Sequence, residues 1–374
     1  MPTRILMLGT GHPHLYLLEG LARTPLPGIE VTLVGTSRDK VYAPMLPGIV
    51  AGIYREDEAV IDLVRLSDAA GARFIHEEAV AIDPDHRSVR LSGGTELSYE
   101  IASIGVGAPA RDQQIAGVLE YGHQVHGLPQ LRSALSEMDR VMASAAGEAP
   151  RVVVVGDGLW GAELALSLRH RMDRGRRGQG IVTLAHPGPY LGGAGGKNGT
   201  HQALSQTLRA ENVTLMLGAV IAQVQEHHIQ LSSGARVPFD FLVWATEPEA
   251  PTIQHGSGLP ADGRGFLLVD DHLRSSGARN VFVSGGAAAH QGTPIMPVSG
   301  APRLSEGPVL SANVLAAAAG QELKQRYHPG KQPVIGTGLG ATKASWMARW
   351  ASHRQESQHR TLVRRFQEIR RGSK

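Results

Sequence analysis

Arg151-Val-Val-Val-Val-Gly156-Asp-Gly158-Leu-Trp-Gly161 carries the architecture of this chain in eleven residues. Four consecutive valines leave no polar face, the pattern of a parallel strand covered on both sides. The glycines stand as Gly156-x-Gly158-x-x-Gly161, and a helical apolar pattern follows from Ala162 to Met172. A bound dinucleotide needs this order. It requires a tight strand-to-helix turn, bare backbone where the pyrophosphate approaches, and a helix N-terminus whose amides face the anion. Three glycines alone are weak grounds, but their place between a buried strand and a helix makes them specific. A second strand, Gly180 to Ala185, completes a β–α–β unit.

The same device stands nearer the N-terminus. Arg4-Ile-Leu-Met-Leu-Gly9-Thr-Gly11-His12-Pro-His14 leads into a helical pattern from Leu15 to Arg23. The turn Pro25-Leu-Pro-Gly28 and the strand Ile29 to Gly35 follow, with His14 where the third glycine would fall. Segments 73–83, 86–92 and 97–104 read as strands, 128–145 as a helix, and Ala146-Gly-Glu-Ala-Pro150 as a hinge. Strands are expected at 213–216, 219–225, 228–231 and 240–245, and Val281-Phe-Val-Ser284 as one returning to the first unit. A helix is expected at 306–319, and 338–374 reads as a separate basic tail. The expected class is α/β, with two Rossmann-like three-layer dinucleotide-binding domains, the second inserted in the first.

Composition narrows the function. The 374 residues contain no cysteine, which removes disulfides, thiolate metal sites, iron–sulfur ligation and a redox-active dithiol. No long uncharged apolar run suggests a spanning helix, and no leader pattern opens the chain, so a cytoplasmic location is the default expectation. Seventeen histidines are scattered without metal-ligand spacing, so no metal site is expected. Neither a Gly-x-Ser-x-Gly elbow nor a nucleic-acid motif is present, and Gly192 to Lys197 fails the P-loop pattern. The carboxylate that would grip an adenosine ribose is missing after both second strands, at Val34-Gly-Thr-Ser37 and Ala185-His-Pro-Gly188. His186 and Lys197 could meet a 2′-phosphate instead, or be solvated loop residues.

Taken together, these residues resemble the pyridine nucleotide-disulfide oxidoreductase superfamily. The similarity is to its type II NADH dehydrogenase-like branch, whose members also occur fused ahead of selenide, water dikinase. Gly9-Thr-Gly-His-Pro-His14 is similar to that branch's Gly-Gly-Gly-His-x-His turn, and Tyr42-Ala-Pro-Met-Leu-Pro-Gly-Ile-Val-Ala-Gly52 to its Met-Leu-Pro-Gly segment. Trp244-Ala-Thr, Gly263 to Asp270, Leu273-Arg-Ser and Gly307-Pro-Val-Leu-Ser-Ala-Asn313 extend the likeness over nearly the whole chain.

The resemblance implies FAD in the first unit and NADH or NADPH in the second. An FAD domain of 1–109 and 265–335 would enclose a connector, 110–148, and an NAD(P) domain, 149–264, ahead of the tail, 336–374. Gly9 and Gly11, with His12 and His14 in the same turn, would face the FAD pyrophosphate, and Val80 the adenine. Gly107, Gly285, Gly286, Gly307 and Pro308 would line the rest of that cofactor. Pro44 and Pro47 would lie beside the isoalloxazine and Glu163 on its nicotinamide side, although Glu163 also fits an exposed helix position. Gly156, Gly158 and Gly161 would hold the nicotinamide dinucleotide. Hydride would pass to flavin, and electrons on to a quinone or another small-molecule acceptor. A flavin-poor binding or regulatory subunit and an oxidoreductase of selenium metabolism are the alternatives. The sequence is compatible with a homo-oligomer.

Three departures qualify the resemblance. Gly286 replaces the aspartate that would hold the ribityl chain, Glu247 replaces the glycine of Ala-Thr-Gly, and Glu306 replaces a glutamine. Glu306 is expected near the flavin carbonyl edge, where it would oppose negative charge. In the tail, nine cations between Lys343 and Lys374 face only Glu356 and Glu368, interleaved with Trp346, Trp350, Leu362, Val363, Phe366 and Ile369. Two readings stand. Such a segment can lie on an anionic membrane, placing the protein at the inner face, or pack on the FAD domain as a helix.

Overall fold

The computed structural model describes residues 2–125, 127–144, 149–174, 180–191, 200–291, 305–328 and 346–369. The chain opens with β1 (Thr3–Leu8), α1 (His12–Arg23) and β2 (Ile29–Val34). A hairpin of β3 (Asp39–Val41) and β4 (Val60–Asp62) encloses α2 (Leu46–Val50), and α3 (Leu63–Ala70) leads to β5 (Arg73–Ile75). A meander of β6 (Ala79–Asp83), β7 (Ser88–Leu91) and β8 (Glu96–Ser98) precedes β9 (Ile101–Ile104). Helices α4 (Val118–Tyr121) and α5 (Leu128–Ser144) cross to β10 (Arg151–Val155), α6 (Leu159–Arg174), β11 (Ile181–His186), α7 (Thr200–Ala210) and β12 (Val213–Leu217). A second meander, β13 (Ile221–Gln225), β14 (His228–Leu231) and β15 (Arg236–Pro238), precedes β16 (Phe241–Trp244). β17 (Leu267–Val269) and β19 (Ala288–His290) pair with each other around β18 (Val281–Val283), and α8 (Glu306–Ala318) and α9 (Trp346–Gln367) follow.

Two parallel sheets organise these elements. The first runs β18-β9-β1-β2-β5 and the second β12-β11-β10-β16. In each, the chain leaves the central strand to one side and returns on the other, so β1 lies between β2 and β9, and β10 between β11 and β16. That reversal opens a crevice at the strands' carboxyl ends, where ligands of such sheets bind. The registers end together there, with Leu8 opposite Val34 and Ile104, and Val155 opposite Ala185 and Trp244. β18 pairs with β9, so residues 281–283 rejoin the first sheet as the sequence suggests.

The repetition extends to details that packing dictates. Arg4 and Arg151 open their central strands, and each guanidinium forks onto a carboxylate just before the last strand: Arg4 on Glu100 at 2.7 and 2.9 Å, Arg151 on Asp240 at 2.7 and 3.0 Å. Both meanders turn on a left-handed glycine, Gly94 and Gly234. Each first meander strand also carries one extra residue, Val80 in one and Ala222 in the other, at a shift in register.

The described strands depart from the sequence expectation where one apolar run serves two sheets. Residues 73–83 split into β5 and β6, and 97–104 into β8 and β9, because periodicity records burial and not which sheet provides it. The three-residue strands β3 and β4 and the eight-residue α3 are too short to carry a periodic pattern in the sequence. The tail also resolves between its two readings over the residues described. Val363, Phe366 and Ile369 are buried against the first unit. Arg365 pairs with buried Glu19, and Arg360 reaches Glu58 at 2.9 Å. These apolar residues therefore form no free membrane-facing stripe. Lys343 and the side chains of Trp346 and Trp350 lie outside the described residues. Among the described residues no helix is long and apolar enough to cross a membrane.

Candidate functional site

The first crevice is built on β1, β9 and β18. Gly9 donates its N–H to Val34 O at 2.8 Å, and Gly11 to Gly105 O at 2.8 Å. Gly9 has φ 86°, and a Cβ there would stand 2.5 Å from Val106 Cα; one on Gly11 would stand 2.6 Å from Gly105 O. Both glycines are thus required by the backbone leaving β9, which crosses directly beneath the turn.

His14 corrects the sequence reading. Its Nδ1 lies 2.7 Å from Gly9 O and its Nε2 2.8 Å from Ser103 Oγ. A carbonyl only accepts, so Nδ1 carries the proton and Nε2 accepts from the serine hydroxyl. Burial pushes the ring's pKa down to about 4, so it is neutral. With both nitrogens used inside the protein, His14 ties the turn to β9 and does not reach a ligand. His12 behaves differently. Its ring sits among Tyr16, Tyr42 and Phe366, and its nitrogens are buried without a partner among the described residues. Burial, with a smaller push from the Lys40 charge, lowers its pKa to about 3.

At the mouth of this crevice Gly107, just past β9, is exposed, and among the described residues no atom lies within 4 Å of where a Cβ on Gly107 or Gly285 (φ 63°) would stand. Ser284 Oγ is buried without a partner among the described residues. Open backbone beside orphaned polar atoms at a switch point is what an FAD would fill, so the residues present fit that group. Glu306 stands at the start of α8. Its carboxylate is fully buried and turned inward, accepting from Gly285 N–H at 2.6 Å and facing His290 Nε2 at 3.0 Å. Gly286 lies in the short turn after β18, and Pro308 is exposed in the first turn of α8. Gly307 is required by packing, since a Cβ there would enter the Tyr16 ring.

Half-buried Pro44 and buried Pro47 flank Met45 at the start of α2, which packs on α6, the helix that carries Glu163. Arg171 and Arg174 of α6 donate to Val50 O and Gly52 O at 3.3 and 3.0 Å, holding the second unit against this segment.

The second crevice repeats the first with a changed mouth. Gly156 N–H reaches Ala185 O at 3.0 Å, and Gly156 packs on Gly161, 2.9 Å separating one's Cβ position from the other's Cα. Glu247 lies just past β16, at the place Gly107 holds past β9. A Cβ on Gly158 would stand only 2.8 Å from Glu247 Cδ, so that carboxylate lies over the turn. Asp157 fixes it there, accepting from Glu247 N–H at 2.6 Å while pairing with Arg111. His186 is a further correction. It is buried and not a solvated loop residue, with Nδ1 beside Gly188 at 3.0 Å and Nε2 3.2 Å from Asp157 O, so both ring nitrogens meet backbone of the protein. Lys197 lies outside the described residues. The sequence marked Glu247 as a departure, but nothing local could pair Arg111 with Asp157, 46 positions away.

Two switch-point crevices in parallel sheets, together with a match to a pyridine nucleotide oxidoreductase family model, mark an oxidoreductase of FAD and NAD(P)H, and a chain without cysteine has no redox-active thiol. The chain belongs to the pyridine nucleotide-disulphide oxidoreductase family, whose model matches residues 3–312. It is 29% identical over 298 residues to an NADH dehydrogenase-like protein of Mycobacterium tuberculosis, covering 77% of this chain and 73% of the relative. It is 25% identical over 356 residues to the demethylphylloquinone reductase of Synechocystis, covering 89% and 85%. The sulfide:quinone oxidoreductase of Aquifex aeolicus shares the fold at TM-score 0.75 and 15% identity, over 99% of this chain and 93% of that one.

Proposed function

We propose that this chain transfers reducing equivalents from NADH or NADPH through FAD to a quinone or another small-molecule acceptor. The observation that carries the reading is the pair of crevices, the first open at Gly107 and Gly285, joined where α2 packs on α6. The names of the quinone-reducing relatives support the acceptor class. In this reading residues 1–109 and 265–335 hold FAD, 149–264 the nicotinamide dinucleotide, and 110–148 joins them. Bound flavin supplies a two-electron carrier that takes hydride from a reduced nicotinamide and returns electrons to the acceptor.

The chain's own residues bind and orient. The Gly9–Gly11 turn presents α1 to the pyrophosphate, with Val80 at the adenine. Ser284, Gly285 and Gly286 would hold the ribityl region, and the first turn of α8 would meet the carbonyl edge of the ring. Pro44 to Pro47 would cover the isoalloxazine, and Glu163 would lie on its nicotinamide side. No carboxylate follows β11, so nothing there repels a 2′-phosphate, and NADPH is accepted at least as well as NADH.

Titrating the purified protein with FAD should give the absorption bands of bound oxidised flavin, and stopped-flow mixing with NADH or NADPH should bleach them. A water-soluble quinone should then restore the colour. Saturating FAD without bound absorbance or a thermal shift would end this reading. A second reading, a flavin-poor binding or regulatory subunit, draws on the carboxylate over Gly158; it predicts little bound flavin and none that either nucleotide reduces.

A further inference from the structure

The second glycine of a dinucleotide turn lacks a side chain so that the pyrophosphate can approach the backbone at the helix N-terminus. At Gly158 that approach is taken. A Cβ there would stand 2.8 Å from Glu247 Cδ and 3.2 Å from Glu247 Cγ, so this chain's own carboxylate occupies the space. The placement is held by the backbone. Glu247 N–H donates to Asp157 Oδ1 at 2.6 Å, and Glu247 O accepts from Arg111 N–H at 3.1 Å. Thr246 Oγ1 and Trp244 Nε1 donate to Arg111 O at 2.7 and 2.9 Å, fixing the segment on both sides. A helix N-terminus favours a negative group, so the carboxylate is stable there for the same reason that a pyrophosphate would be. The equivalent position of the first unit is Gly107, which places nothing over its turn.

We propose that Glu247 is an internal competitor for the nicotinamide dinucleotide, an affinity-determining residue whose carboxylate must leave the α6 N-terminus before a pyrophosphate can enter. The inference rests on the reading of the second crevice as the nicotinamide site. Arg111, hydrogen-bonded to Glu247 through the backbone and paired with Asp157 and Asp112, offers a cation beside the displaced carboxylate. Its consequence is a site that fills only at high nucleotide concentration and distinguishes ligands by their pyrophosphate.

Calorimetric titration of the FAD-loaded protein with NADPH, NADH, ADP-ribose and adenosine tests this. Glu247→Gly and Glu247→Gln should tighten NADPH, NADH and ADP-ribose by at least about tenfold, the scale of one charged contact, and leave adenosine unchanged. Glu247→Gln keeps the side chain's size, so a gain in that variant identifies charge and not bulk as the cause. If the wild type binds NADPH and both variants bind it equally well, the competitor role is overturned while the site reading stands. If no variant binds any pyrophosphate ligand although all retain FAD and wild-type melting behaviour, the crevice is not the nicotinamide site and both fall.

Discussion

The two β–α–β units share a frame and differ at the mouth. Arg4–Glu100 and Arg151–Asp240 close the far ends of the two central strands in the same way, and Gly94 and Gly234 turn the two meanders alike. At the carboxyl ends the copies part. The first unit has buried His14 under its turn and open Gly107 above it; the second has Gly161 under the turn and Glu247 above. Frame residues are fixed by packing, which both copies need equally. Mouth residues are free to follow whatever each crevice binds, so divergence there reports on ligands.

The largest expected effect comes from removing His14. Its loss leaves Gly9 O and Ser103 Oγ buried without their partner and opens a cavity, costing about 3–5 kcal/mol of stability. In the second unit Gly161→Ala presses a Cβ to 3.0 Å from Gly156 Cα and should cost about 1–3 kcal/mol. Urea unfolding of both variants ranks them; a reversed order would mean that the histidine is not the tie described. His14→Ala should also flatten acid sensitivity. The ring's folded pKa, about 4, lies below its unfolded value, so the unfolded chain takes the proton first. Stability is therefore complete above pH 6.5 and is lost as pH falls from there towards 4, by about 1.4 kcal/mol per unit. Burial lowers His12 to about 3 and His359 to about 4, adding loss in the same direction. These groups all belong to the first unit and its docked tail.

Giving the first mouth the second's character should have the next largest effect. Gly107→Glu meets no atom of the described residues, so the fold tolerates it. A carboxylate there should weaken FAD by about 10- to 150-fold, or roughly 1.5–3 kcal/mol, as read by flavin fluorescence. Unchanged FAD affinity would show that the two mouths are not equivalent.

The smallest effect is expected in the shared frame. Glu100→Gln and Asp240→Asn each break one fork, but both pairs are partly exposed and screened, so each should cost no more than about 1 kcal/mol. The Arg4 guanidinium holds the Glu100 carboxyl at about 2, yet that shift belongs to an exposed group and converts to little stability. Near-equal losses in thermal melts support a duplicated frame; a loss confined to one unit breaks the symmetry.

Residues 151–161 alone determined a buried parallel strand, a glycine turn and a helix, because each of those demands is local. Four valines can be covered only on both faces, and bare backbone is needed within six residues of the strand. The repeat at 4–14 and the absence of cysteine then set the class of chemistry. Tertiary structure decided which polar groups face a ligand. His14 and His186, read from sequence as cofactor contacts, turn inward because their nitrogens find Gly9 O, Ser103, Gly188 and Asp157 O. Arg365 and Phe366, read as candidates for a membrane stripe, dock on Glu19 and the His12–Tyr16 edge. Glu247 comes to rest over Gly158 because β16 returns beside β10 and delivers its end to that turn. Apart from the short reaches of His14 to Gly9 and His186 to Gly188, these meetings join positions tens to hundreds apart. They depend on which strand ends share a sheet edge, which no local pattern of residues records.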